Sequence, residues 1–152
     1  SAMLGLNGGK WQESHRDQFQ GPFVKPATRE GVRGMTPTAE PVLVYTTWPD
    51  AETADNAARE LVTRRLAACA NRLGEITSTY EWQGRIEHGT EVAMLIKSTS
   101  TRFAALSAAI AELHPYDVPA ILALPVSAAH PPFAAWIAAQ TAPQSPEGEH
   151  HG

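Results

Sequence analysis

One cysteine, Cys69, stands in the 152 residues, and that scarcity excludes an intrachain disulfide and any CxxC metal site. A single thiol agrees with a reducing, cytoplasmic setting, and any metal here needs mixed ligands, drawn from more than one subunit if necessary. Charge is also sparse: 18% of residues are charged, and the net charge is −4. Nucleic-acid recognition requires clustered Lys and Arg, so no such partner is expected. Nothing approaches the ~20 consecutive apolar residues of a membrane span. The opening "SAMLGLNGGKWQESHRDQ" turns polar too early for the apolar centre of a secretory signal. Glycine-rich phosphate loops and the H-E-x-x-H pattern are missing, and no catalytic constellation replaces them, so a non-enzymatic role is expected.

What is present is a patterned centre between polar ends. Hydrophobic residues make up 43% of the chain, enough for one real core. Residues 1–40 are Gly-, Pro- and polar-rich without a sustained period and read as a flexible extension. Residues 142–152, with "APQSPEGEHHG" closing the chain, read as a polar tail whose His150-His151 pair binds metal adventitiously at most. The domain is expected at 41–141. "VLVYTTW" (Val42–Trp48) is β-branched and aromatic, a buried strand. Asp50 is a credible N-cap for a helix from Ala51 to Arg65 with Ala54, Ala58, Leu61 and Val62 on its apolar face.

"AACANRL" and "EITSTYEW" read as one long strand or two collinear ones broken near Gly74. Gln83-Gly84 is a tight-turn candidate, "EHGT" follows, and "EVAMLIKST" is a strand. A second helix spans Thr101–Leu113 and stops at His114, because Pro115 disfavours a helical residue before it. "AILALPVS" supplies a last strand and "PPFAAWIAAQ" a closing helix. The order β-α-β-β-α-β predicts an α+β, ferredoxin-like antiparallel sheet with helices on one face, plus a C-terminal helix. Strands such as "VAMLI" and "AILALPV" are apolar at nearly every position, so the second sheet face needs a cover, and an oligomer is inferred.

Several residues are candidates for chemistry. The third strand lacks the exposed aromatics of an RNA-recognition motif. Cys69, in "LAACANRL", reads either as a small buried hydrophobe or as a soft metal ligand. His114 opens "HPYDVP", a rigid helix-to-strand junction; its imidazole is either a partly exposed ligand for copper or zinc, or a cap for the carbonyls ending the helix. Asp117 adds an oxygen ligand or bonds its own backbone in the turn. Tyr80, Trp82 and Tyr116 are amphipathic aromatics suited to subunit packing or ligand contact. Lys97 interrupts an apolar strand, as a rim residue or an anion contact.

Taken in order and spacing, "YTTWPD", "RRLAACAN", "TSTYEWQGRIE", "MLIKST" and "ELHPYDVPAILALPV" resemble the CutA divalent-cation tolerance proteins across residues 41 to 141. The resemblance implies a ferredoxin-like protomer in a homotrimer whose sheets face one another around the threefold axis. It implies copper or another divalent cation as the ligand, with Cys69 and His114 as the proposed ligands. It also places Lys97, Tyr80, Trp82, Tyr116 and Asp117 along the cleft between subunits. Some family members carry a further Cys where this chain has Thr46, and a hydroxyl is a poor copper ligand. Two other classes of function stay open. One is a trimer similar to the nitrogen-regulatory signal proteins, binding a small effector in its clefts. The other is a ligand-free scaffold.

Overall fold

A computed structural model describes residues 39–143. The extensions expected at 1–40 and 142–152 therefore fall almost wholly outside the described residues. In chain order the elements are β1 (Pro41–Trp48), α1 (Ala51–Thr63), β2 (Cys69–Trp82), β3 (Arg85–Thr99), a short 3-10 turn (Ser100–Arg102), α2 (Phe103–Leu113), β4 (Ile121–Pro125) and α3 (Pro131–Gln140). The strands form one antiparallel sheet in the order β2-β3-β1-β4. This is the expected split βαβ arrangement with an added helix.

Each helix is set by local chemistry. The Asp50 carboxylate accepts the Thr53 backbone N–H at 2.8 Å, which caps α1 and holds that carboxyl below its ordinary pKa. Helix α1 buries Ala54, Ala57 and Leu61, whereas Val62, expected on the same face, is 39% exposed. One residue past Leu61 is a rotation of about 100° around the helix, which carries Val62 off the buried stripe. The helix also ends at Thr63 rather than Arg65. Arg65 instead adopts φ +61, and its guanidinium donates to the Ala139 and Ala142 carbonyls at 2.7 and 2.9 Å, tying the end of α1 to the end of α3. Helix α2 ends at the extended His114, as Pro115 requires.

The break expected near Gly74 is a β-bulge within a single strand, with the register shifting between Arg72 and Gly74 and with Gly74 at φ +113. Gln83 and Gly84, at φ +51 and +79, make the tight turn. "EHGT" lies within a strand that starts earlier than "EVAMLIKST": β3 begins at Arg85, and Ser78↔Gly89 and Thr79↔His88 pair across the hairpin. The partner strand supplies the backbone bonds that this weakly patterned stretch does not advertise.

On the helix side, Val42, Val44 and Trp48 of β1 and Val92, Met94 and Ile96 of β3 pack against Leu61, Leu106 and Ile110. Burying each of these side chains stabilises by about 1.5–3 kcal/mol. The other face carries two cross-strand rows given by the register: Leu124, Leu43, Lys97 and Cys69, then Leu122, Tyr45, Leu95 and Asn71. Leu122 is 61% and Leu124 46% exposed. The apolar second face foreseen from the strand pattern is thus present and uncovered in the protomer.

Candidate functional site

His114 sits under the C-terminal end of β1. Its ring stacks on Trp48 with centroids 4.4 Å apart, and it is 7% exposed. Nε2 lies 2.7 Å from the Thr47 carbonyl, and Nδ1 accepts the Tyr116 backbone N–H at 3.2 Å. A carbonyl only accepts and an amide N–H only donates, so the ring is the neutral Nε2–H tautomer. Burial holds its pKa below the ordinary histidine value, against a smaller opposing effect of the Thr47 bond. The partly exposed ligand expected from the sequence is therefore an enclosed ring with both nitrogens engaged. Nor does it cap α2, since its partner is a β1 carbonyl.

Beside it the structure assembles a polar cluster that sequence reasoning missed. Glu91 is only 6% exposed; its carboxylate accepts the Ser78 hydroxyl at 2.6 Å and the Tyr116 phenol at 3.3 Å. Two donors offset part of the cost of burying that charge. The Tyr116 ring lies 4.7 Å from His114, and burial, with the Glu91 charge second, pushes its phenol far above the ordinary range. Tyr80 pairs with Glu87 across the hairpin; burial and then the charges of Glu87 and Glu91 raise its phenol too. Trp82, half-buried, pairs with Arg85 at the hairpin end, about 7 Å further along β2 than Tyr80. Asp117 is exposed on the junction loop. The one sequence signal for Glu91 was an acidic residue directly before the apolar run "VAMLI".

The second group lies toward the opposite end of the sheet. Cys69 is half-buried and pairs with Lys97, whose ammonium donates to the Asn71 side-chain oxygen. Lys97 is opposite Leu43 on β1, whereas His114 is bonded at Thr47. That offset is about 13 Å along the strand, and Cys69 is a further two strand spacings of about 4.8 Å away. Metal–ligand bonds are about 2.0–2.3 Å long, so Cys69 and His114 of one chain do not share an ion. Among the described residues no three His, Cys, Asp or Glu side chains gather into a metal-binding group. Thr46, where some relatives have Cys, is fully buried: its hydroxyl donates to the Met94 carbonyl at 3.1 Å and accepts the Trp48 indole N–H at 2.7 Å.

Comparison with known proteins agrees with this architecture. A mouse protein named CutA is 43% identical over 93 residues, which are 61% of this chain and 52% of that one, so this chain spans about half the mouse relative. A divalent-cation tolerance protein CutA of Thermococcus kodakarensis is 41% identical over 99 residues, 65% of this chain and 94% of its own length. A solved structure described as the periplasmic divalent cation tolerance protein CutA of Archaeoglobus fulgidus superposes with a TM-score of 0.65 at 34% identity, over 67% of this chain and 99% of that one. The family profile described as CutA1 divalent ion tolerance protein matches residues 42–140. With the strand order, helix placement and this match over the whole core, the chain belongs to the CutA1 divalent ion tolerance family.

Proposed function

We propose that the chain is a divalent-cation tolerance protein that acts as a homotrimer and binds copper or a similar divalent ion by side chains at the subunit contacts, without catalysis. The uncovered sheet face carries this reading: Leu122 and Leu124 stand exposed beside Leu43, Tyr45 and Leu95, an apolar surface that a lone protomer would leave in water. Cover by other copies buries it, and it brings the adjoining Cys69–Lys97 row toward a neighbour. The Thermococcus and Archaeoglobus relatives carry divalent-cation tolerance in their names, which supports the class of ligand. Copper is the finer choice because a half-buried thiol is a soft donor. One thiol does not hold an ion by itself, so the neighbour completes the ligand set. A lone cysteine suits the cytoplasm; it equally suits the periplasm named for the Archaeoglobus relative.

The test joins assembly to binding. Sedimentation equilibrium on the full chain gives a trimer, and Leu122→Glu, which plants a charge on the face, gives a lighter species with its helices intact. Copper titration by calorimetry, in a chain with His150 and His151 replaced by Ala, saturates and is lost in both Leu122→Glu and Cys69→Ser. A monomeric wild type, or copper uptake indifferent to Cys69, overturns the proposal.

A small-effector reading rests on a different observation, the buried Glu91 carboxylate with Tyr116, Ser78 and Tyr80 around it. Such a cluster selects a cationic or hydrogen-bond-donating ligand rather than an anion, and the neutral, enclosed His114 contributes no positive charge. Binding of an organic cation that Glu91→Gln removes, with copper uptake unchanged, would favour it.

A further inference from the structure

The two cross-strand rows of the open sheet face hold a single ionic side chain. Of Leu124, Leu43, Lys97 and Cys69, and of Leu122, Tyr45, Leu95 and Asn71, only Lys97 carries a fixed charge, and neither row has a carboxylate. The Lys97 ammonium donates to the Asn71 side-chain oxygen. That oxygen is a neutral acceptor, so the bond orients the ammonium without compensating its charge. Along β3 toward the hairpin, the first acidic residue is Glu91, six positions and about 20 Å from Lys97. Its carboxylate is already engaged by Ser78 and Tyr116. In the lone protomer this arrangement costs little, because Lys97 is only half-buried and its charged end stays in water.

Cover by other copies changes that balance. An ammonium shut in with nothing but an amide oxygen is costly, and it is tolerated when a counter-charge is buried with it. Like faces brought together add further Lys97 side chains and, from these rows, no carboxylate. We infer that a small oxyanion binds at Lys97 between the copies and supplies the missing negative charge. The ammonium gives it a charge-assisted bond, and the exposed Asn71 amide stands beside it as a second donor. Leu43 and Cys69 flank Lys97 on its two neighbouring strands, so the surroundings favour an ion of a few atoms over a large polar ligand. A lysine is a point charge without the planar fork of arginine, so it selects for charge and size rather than for a flat carboxylate. The chain as a whole carries −4, which gives anions no general attraction and makes the binding local to Lys97. The site exists only in the proposed homotrimer, and it does not depend on copper.

The experiment is thermal unfolding of the full chain in sodium sulfate and in sodium chloride of equal ionic strength, with sedimentation velocity run alongside. Wild type is compared with Lys97→Met, which keeps an unbranched side chain and removes the charge. In wild type, about 20 mM sulfate raises the Tm of the trimer by about 3 °C or more over matched chloride. Lys97→Met stays trimeric and shows only the general stabilisation by an excluded salt, about 1 °C or less. In chloride the variant melts above wild type, since it buries no uncompensated charge, and sulfate narrows that gap. A trimer whose sulfate response is the same in both proteins overturns the inference alone, and means that water or a neighbour's carboxylate meets Lys97. Failure of Lys97→Met to assemble also overturns it, because the ammonium is then bonded to the neighbour itself. A monomeric wild type overturns it together with the homotrimer reading, and sedimentation tells these failures apart.

Discussion

Protonation of His114 should weaken the fold in mild acid, and the direction and upper bound of that effect follow from its surroundings. The ring donates through Nε2 to Thr47 and accepts at Nδ1 from Tyr116, so a second proton has no acceptor and displaces the Tyr116 amide. Burial depresses the folded-state pKa, whereas the unfolded chain titrates near the ordinary 6.5. Above that value both states are neutral and the contribution of His114 is fully present. Below it the unfolded state takes up a proton that the folded state refuses, and stability falls as pH falls. The slope reaches about 1.4 kcal/mol per pH unit until the folded-state pKa is passed. Denaturant unfolding at pH 7.5, 6.5 and 5.5, with protomer concentration fixed, should show a progressive loss from His114 that is bounded above by about 1.4 kcal/mol at the lowest pH. His114→Gln should lose this component while keeping the acid sensitivity contributed by carboxylates. Parallel profiles for wild type and His114→Gln, or an imidazole signal titrating above 6.5 in the folded protein, would refute the reasoning.

Other substitutions test the remaining contacts. His114→Ala should destabilise by about 3 kcal/mol, because it empties a stacked, buried site and strips the Thr47 carbonyl of its donor, yet per folded protomer it should leave copper uptake intact. Glu91→Gln should lower the Tyr80 phenol's titration only slightly, read by ultraviolet absorbance, since burial and then Glu87 raise it more and the mutation removes only the third and smallest cause. Arg65→Ala should cost about 1–2 kcal/mol and selectively lower hydrogen-exchange protection in α3, whose Ala139 and Ala142 carbonyls it holds. Gly74→Ala meets no atom within 4 Å, so its cost, about 1–2 kcal/mol by thermal unfolding, comes from φ +113 alone.

Much of the fold was legible because its signals are local. Asp50 caps within three residues, Pro115 stops α2 at its neighbour, and Gln83-Gly84 turns the hairpin by its own dihedrals. Missed features have distant causes. "EHGT" becomes strand because residues 77–80 pair with it, and Val62 leaves the core because α1 rolls to seat Ala57 and Leu61. The site was legible only in part, for the same reason. His114 finds its acceptor 67 residues away at Thr47, and Tyr116 reaches Glu91 across 25 residues. No pattern along the chain announces either meeting.

The double-sided apolar strands, by contrast, were readable and informative, and they explain why two good ligand types ended up apart. Period-two alternation sends Val44, Thr46 and Trp48 to the helices and Leu43 and Tyr45 to the open face. Cys69 shares that open face through its row with Lys97 and Leu43, while His114 is spent on closing the far end of the core. The Cys69 thiol stands on the open apolar face, where the proposed neighbouring copy would meet it. An imidazole with both nitrogens bonded inside its own protomer is placed for stability and for acid sensitivity. The residue pair named from the sequence therefore divides by face: copper uptake should follow Cys69 and assembly, and the response to acid should follow His114. A variant that dissociates the proposed trimer should abolish the first and leave the second.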